Sequence, residues 1–406
     1  MLTGRADVAP QRRVDTMKRI YPFGLVALLV GTAPVLVAVQ GQPVNRETAG
    51  DTVRAILAPR SPLPSEAATA GITKFSFIAY GDTRGRYDGE RLQYEHGLVV
   101  QSMLKTISAM ANGPDPVRFV TWSGDAVVDG RVAQQYNRSF SDIVDQITNG
   151  AGLPFFPSPG NHDVAHTSSR SAPERLVALR NYYGAFRALI PPEGTPRRLN
   201  GYPTYAFGYG NTFLIGWDSN ILGDTVQYDW IRRQLEGLDR QRYPNIVVFE
   251  HQPAFSSGGH GAAVLEPQAA EIRSWYMPLF RKHHVRLMLT GHEHLFEHWV
   301  ERYNDESGKA YRLDQIVSGG GGAPLYGYRG EPDLRDYLKL GAAANVSVQH
   351  LVKPGIAPGE NPYHYVVVHV DGEHIRVDVI GVEFGSDFAP YRSRSADLDS
   401  VVPNMR

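Results

Sequence analysis

Residues 287–294 read Leu287-Met288-Leu289-Thr290-Gly291-His292-Glu293-His294, a short apolar run, a glycine and two histidines in alternate positions. A run of that length bounded by glycine suits a buried strand. Histidines at i and i+2 can converge from one extended loop, so the stretch serves either as a metal-binding loop or as ordinary loop polarity. The same construction recurs along the chain. Phe77-Ile78-Ala79-Tyr80 ends in Gly81-Asp82, and Phe119-Val120-Thr121-Trp122 leads through Ser123 to Gly124-Asp125. Phe155-Phe156-Pro157-Ser158 leads to Gly160-Asn161-His162-Asp163, and Ile246-Val247-Val248-Phe249 leads to Glu250-His251. Singly, each has a plain alternative: Gly-Asp after a strand is commonly a turn or helix cap, Asn161 an Asx-turn residue, His251 a satisfied core histidine. Together they place oxygen and imidazole groups at successive strand ends, which chance does not readily produce.

Outward from these loops, helical periodicity follows the strands at 90–111, 131–149, 173–189, 225–239 and 267–284. Alternating runs over 202–218 meet at Gly208-Tyr209-Gly210-Asn211, and Asp371-Gly372-Glu373 joins runs at 363–370 and 374–382, both hairpin signals. Further strands fit 296–303 and 311–317. Strand alternating with helix implies an α/β core in which ligand-bearing loops gather at the carboxyl ends of the strands.

The ends of the chain read differently. Residues 1–16 are polar and patternless and read as a misassigned start; Met17-Lys18-Arg19 then precedes an apolar run from Phe23 to Val39. A positive segment before such a run reads as a secretory signal over 17–41, and an uncleaved membrane anchor through 20–39 is the alternative. The expected location is exported, periplasmic or extracellular, or membrane-anchored with an exported domain. Residues 42–72, rich in Pro, Ala, Ser and Thr, read as a linker, 73–385 as the catalytic domain and 386–406 as a polar, frayed tail.

Composition narrows the chemistry. A formal charge of -1 argues against a broad basic surface for nucleic acid. There is no cysteine, which excludes disulfides, thiolate zinc sites and thiol nucleophiles. Mixed carboxylate, amide and imidazole donors without sulfur suit Zn, Mn or Fe. Two such ions about 3.5–4 Å apart can stabilise both the attacking and the leaving oxygens of a phosphoryl displacement, with no serine or cysteine nucleophile required.

The order Gly-Asp, Gly-Asp, Gly-Asn-His-Asp, His, Gly-His-x-His, spread over Lys74 to Leu325, resembles the signature of the calcineurin-like metallophosphoesterases. The resemblance implies a four-layer α-β-β-α sandwich with a two-metal site at the carboxyl ends of the strands. It implies that Asp82 and His294 hold one metal, that Asn161, His251 and His292 hold a second, and that Asp125 bridges them. The ions would be divalent or trivalent Fe, Mn or Zn. His162 is similar to the family's general acid, with Asp163 expected to orient it. The implied reaction is hydrolysis of a small phosphate ester, a monoester first, by a metal-bridging hydroxide. A phosphodiesterase or nucleotide pyrophosphatase is the alternative, and a non-catalytic scaffold of the same fold a third reading. The glycine-rich run Ile316 to Leu325 resembles a loop of the purple-acid-phosphatase-like members, its glycines allowing close backbone packing beneath the site.

The sequence departs from the pattern at the first metal. Position 84, where many members carry histidine, is Arg, and position 128, where purple acid phosphatases carry a tyrosine, is Val. His96, Tyr87 or water could complete that site, although His96 also falls on the Leu92, Val99, Val100, Met103 stripe of a core-facing helix. Arg84 is expected on a phosphate oxygen, since a guanidinium forks onto phosphate, with a surface arginine as the plain alternative. His260, on the loop after His251, could line the substrate entrance.

Overall fold

The computed structural model describes residues 52–85, 92–262 and 265–382, and the backbone of 394–397. Two sheets carry the fold. One runs β13-β12-β11-β1-β2-β3, where β1 is Lys74–Tyr80, β2 Val117–Trp122, β3 Phe155–Pro157, β11 Tyr363–Asp371, β12 His374–Val382 and β13 Arg394–Asp397. The other runs β10-β8-β9-β7-β6-β5-β4, where β4 is Tyr205–Tyr209, β5 Thr212–Gly216, β6 Asn245–Phe249, β7 Leu287–Thr290, β8 Phe296–Asn304, β9 Ala310–Ser318 and β10 Ser347–Val352. The strands that carry the candidate ligands pair in parallel within each sheet, β1 with β2, β2 with β3, β5 with β6 and β6 with β7, while β1 also pairs antiparallel with β11.

Period-two alternation makes the layers. In β1, Phe75, Phe77 and Ala79 face the core between the sheets, while Ile78 and Tyr80 face the helices. In β6, Val247 and Phe249 face inward and Ile246 and Val248 outward. Both faces of each central strand are thus apolar, as a sheet covered on both sides requires. The inner core joins Phe119, Phe156, Phe207 and Leu214 across the two sheets, with Phe156 stacked on Phe207 at 3.8 Å between ring centroids. The helix Tyr94–Met110, the helical stretch from Ala133 to Ala151 and the helix Pro173–Phe186 cover one sheet. Thr225–Glu236, the stretch from Pro267 to Lys282 and Arg335–Leu340 cover the other. The result is the expected four-layer α-β-β-α sandwich.

The helices at 133–151 and 267–282 contain π-helical turns at Tyr136–Phe140, Gln146–Ala151 and Ile272–Tyr276. A regular 3.6-residue pattern does not foresee them. The helical stretch ending at Ala151 closes on Gly152 in the left-handed conformation at φ 79°, the residue that accepts it without a Cβ penalty.

The stretch 52–72, expected as a linker, lies tied along the domain. Ile56 is buried and its N–H donates to the Ala185 carbonyl at 2.9 Å. Arg54 pairs with Asp142 and Asp145, and Glu66 takes both Arg197 and the Tyr243 hydroxyl. Its Pro-rich composition reflects irregular backbone, turning at 65–72, laid against the domain and anchored by single side chains. Within the tail expected to fray, residues 394–397 pair antiparallel with β12, so backbone pairing holds a segment whose composition is polar. Residues 17–41, expected as a signal or an anchor, and Tyr87 lie outside the described residues. Among the described residues no helix is long and apolar enough to cross a membrane.

Candidate metal centre

The carboxyl ends of β1, β2, β3, β6 and β7 deliver Asp82, Asp125, Asn161, His251, His292 and His294 to one place. The loops lock together through backbone: the Asp82 N–H donates to the Gly124 carbonyl at 2.9 Å and the Thr83 N–H to the Asp125 carbonyl at 3.0 Å. Asp82, Asp125 and His292 all sit at positive φ, 60°, 62° and 69°. For residues with a Cβ this costs roughly 1–3 kcal/mol each, and it persists where surrounding structure fixes the chain. Here the fixing contacts are visible: the His292 N–H donates to the Asp82 carboxylate at 2.9 Å. Gly291 and Gly160 bring the chain so close that a Cβ would stand 2.2 Å from Asp82 Oδ2 and 2.1 Å from Asp125 Oδ1. Gly319 and Gly321 press likewise on the backbone of Glu293 and Gly81, so the glycine-rich run does pack beneath the site.

The ring nitrogens sort themselves by their outer partners. His251 Nδ1 lies 2.7 Å from the Ser123 carbonyl and donates to it, which leaves Nε2 bare. His292 Nε2 donates to Glu266 Oε2 at 2.8 Å, which leaves Nδ1 bare. His294 Nδ1 donates to the Pro324 carbonyl at 2.6 Å, leaving Nε2 bare 3.5 Å from Asp82 Oδ1. The Asn161 amide nitrogen lies 2.9 Å from His166 Nδ1, turning its oxygen inward. That oxygen is 2.8 Å from His251 Nε2 and 3.1 Å from His292 Nδ1, and the two nitrogens are 3.2 Å apart. Asp125 Oδ1 stands 3.4 Å from His251 Nε2.

With the His251 proton on the Ser123 side and the His292 proton on the Glu266 side, acceptors face acceptors across the cluster. Burial lowers His251 to about 3 and holds His294 well below its ordinary value, so neither of these rings takes up a second proton to relieve the repulsion. A cation relieves it, and the donor set of carboxylate, amide and bare imidazole fits one. A second group, Asp82, Asp125 and His294, brings its ligand atoms within 4.8 Å of one another, and Asp125 faces both groups. Burial and the neighbouring Asp125 push the Asp82 carboxyl up, and the His292 N–H and the Arg84 guanidinium only partly offset them.

Residues 99–296 match the calcineurin-like phosphoesterase family. That stretch is a calcineurin-like phosphoesterase domain. The chain is 32% identical over 149 residues to Fe(3+)-Zn(2+) purple acid phosphatase 12 of Arabidopsis thaliana, covering 36% of this chain and 29% of that protein. It is 26% identical over 123 residues to probable inactive purple acid phosphatase 9 of the same plant, covering 30% of this chain and 18% of that one. The chain thus spans less than a third of the length of either relative. A purple acid phosphatase from yellow lupin (Lupinus luteus) seeds shares the fold at a TM-score of 0.54 and 16% identity, over 84% of this chain and 55% of that one.

Within this calcineurin-like frame the remaining residues part company. His162 is at the site: its N–H donates to Asp125 Oδ1 at 3.0 Å and its ring Nε2 lies 3.8 Å from Asp125 Oδ2. Its Nδ1 lies 2.6 Å from the carbonyl of Val128, the residue standing where a tyrosine was a possible ligand. Asp163, expected to orient His162, instead serves the neighbouring loops. Its carboxylate accepts the N–H groups of Asp125 at 2.8 Å, Ala126 at 3.0 Å and Gly160 at 2.8 Å. Adjacent residues on a tight helical turn point in different directions, so Asp163 turns under the site while His162 faces it.

Arg84 reaches the site, its Nε 3.6 Å from Asp125 Oδ2. His96 does not join. It is fully buried, with Nε2 at 3.1 Å from the Tyr80 hydroxyl and Nδ1 at 2.9 Å from Gln93 Oε1, and burial lowers it to about 3. It is a core histidine, as the apolar stripe indicated. His260 stands over His292, ring centroids 4.5 Å apart, and His298 is turned away onto Asp314. Two residues carried no signal in the sequence: Tyr326, whose ring stacks on His294 at 4.1 Å, and Glu266. Both arrive from loops with no strand-end pattern.

Proposed function

We propose that this chain hydrolyses phosphate esters, monoesters first, at a two-metal centre built from Asp82, Asp125, Asn161, His251, His292 and His294. The observation that carries the reading is the convergence of acceptors from Asn161, His251, His292 and Asp125, an arrangement that a cation stabilises. Two metal ions held there would supply Lewis acidity and a water acidified enough to attack phosphorus at neutral pH.

The chain's own residues then do the rest. Arg84 presents a guanidinium beside Asp125 Oδ2 and binds a phosphate oxygen. His162, fixed through Nδ1 on the Val128 carbonyl, directs Nε2 into the site, where it holds the proton for the departing alkoxide. Asp163 keeps the Asp125 and Gly160 loops in register. The monoester preference rests on the purple acid phosphatases among the relatives. Export, by a signal at 17–41 or an anchor over 20–39, belongs to the same proposal and rests on that sequence alone.

The test compares hydrolysis of a nitrophenyl phosphate monoester and its diester by protein loaded with Mn, Zn or Fe, with His162→Ala as control. The reading expects faster monoester turnover, and a His162→Ala variant that keeps its metal while turning over about 10²–10⁴-fold more slowly. Faster diester turnover would assign a phosphodiesterase. A metal-free, inactive wild type would assign a scaffold.

A further inference from the structure

Glu266 stands at the start of a helix, immediately before Pro267, in extended backbone at φ -64° and ψ 146°. From there its carboxylate spans two histidines: Oε2 lies 2.8 Å from His292 Nε2 and Oε1 2.7 Å from His260 Nδ1. The stretch 257–260 after His251 is itself clamped. Glu293, between the two histidines of the Gly-His-Glu-His run, accepts the N–H groups of Gly259 at 2.9 Å and His260 at 2.6 Å. Glu297 accepts the Ser257 N–H at 2.8 Å. Gly258 lies so close to Glu293 that a Cβ would meet its carboxylate at 2.1 Å. The position of His260 over His292 is therefore built, and Glu266 closes it.

An imidazole binds a metal only through the nitrogen that carries no proton. In His292 the nitrogen facing Asn161 and His251 is Nδ1, and both neighbours present acceptors to it. Without an opposing partner, that pair of acceptors would draw the His292 proton to Nδ1 and spoil the ligand. Glu266 is the opposing partner. We propose that Glu266 is a positioning residue that holds the His292 proton on Nε2 and ties the ring to His260, keeping Nδ1 bare for the Asp125–Asn161–His251 set. The inference rests on the metal-centre reading above and adds to it a residue outside the strand-end pattern. A carboxylate behind a ligating histidine raises its basicity and fixes its orientation.

The experiment uses full chains carrying Glu266→Ala or Glu266→Gln, stripped with chelator and titrated separately with Zn²⁺ and Mn²⁺. Beside it, ¹⁵N-imidazole spectra of the stripped proteins report which nitrogen of His292 carries the proton. Glu266→Ala should weaken one bound ion by roughly 10–100-fold and leave the other unchanged, with the His292 proton moving toward Nδ1. Glu266→Gln, nearly isosteric, should lose less, because its amide oxygen still accepts from Nε2. An unmoved His292 proton in both variants overturns the proposal, and so does unchanged binding of both ions. If the wild type binds no ion, the metal-centre reading fails, and the spectra alone still decide the role of Glu266.

Discussion

His251 and Asn161 meet through two atoms that cannot share a hydrogen bond. His251 donates its Nδ1–H to the Ser123 carbonyl, and its other nitrogen, Nε2, lies 2.8 Å from the inward-turned oxygen of Asn161. A buried pair of acceptors at that distance is destabilising unless a cation lies between them. Metal removal should therefore lower the thermal midpoint of the wild type, because a ligand bound only by the folded state stabilises it. In Asn161→Ala, which removes one acceptor, chelation should lower the midpoint by less, and metal analysis after gel filtration should find one ion fewer per chain.

Asp163 gives a prediction that separates bracing from catalysis. Its carboxylate accepts from Asp125, Ala126 and Gly160, and an amide in its place has one oxygen and an N–H pair facing donors. Asp163→Asn should cost about 1–3 kcal/mol in the urea unfolding of the metal-stripped protein. Were Asp163 the orienting partner of His162, kcat would fall with stability unchanged.

Arg84 should act on substrate alone. A charge-assisted hydrogen bond is worth about 1.5–3 kcal/mol, so Arg84→Ala should raise KM about tenfold or more with metal content unchanged. Arg84→Lys should recover part of this, since an ammonium retains the charge but not the fork. Loss of metal in Arg84→Ala would instead make its role structural, through its position beside Asp125.

His96 predicts a pH dependence. Burial lowers its folded value to about 3, against about 6.5 in an unfolded chain. Below pH 6.5 the unfolded state takes up a proton that the folded state refuses. The stability His96 contributes is therefore present above that pH and is lost as pH falls toward 3. His96→Gln, which does not titrate, should be less stable than wild type at pH 7, with a deficit that narrows by about 2 kcal/mol by pH 5. Urea unfolding of both proteins at the two pH values measures it; a constant deficit would contradict the buried, neutral state.

The strand ends were legible because burial on both faces leaves near-continuous apolar runs, and because a parallel sheet gathers its loops at one edge. That is why the loops carrying Asp82, Asp125, Asn161, His251, His292 and His294 stood out as strand ends, the family resemblance naming these residues as ligands, and why the structure brings them together. What was not legible depends on three-dimensional neighbours. The direction of Asp163 follows from a single tight turn after Asn161, and no pattern in sequence reports it. Glu266 reaches His292 across 26 positions of chain, from a helix start that any polar residue could occupy. The stretch 52–72 has the composition of a linker, yet Ile56 and Glu66 each find a specific pocket of partners. The π-helical turns at 136–140, 146–151 and 272–276 break the regular period on which helix reading relies.

The central claim is that the acceptors at the strand ends exist to hold two metal ions that serve hydrolysis. Metal analysis of the purified protein, paired with its turnover of a nitrophenyl phosphate monoester before and after chelation, tests it most directly. The account predicts two ions per chain, and activity that disappears with the metal and returns on its restoration. Fewer than one ion per chain, or turnover indifferent to chelation, would contradict it.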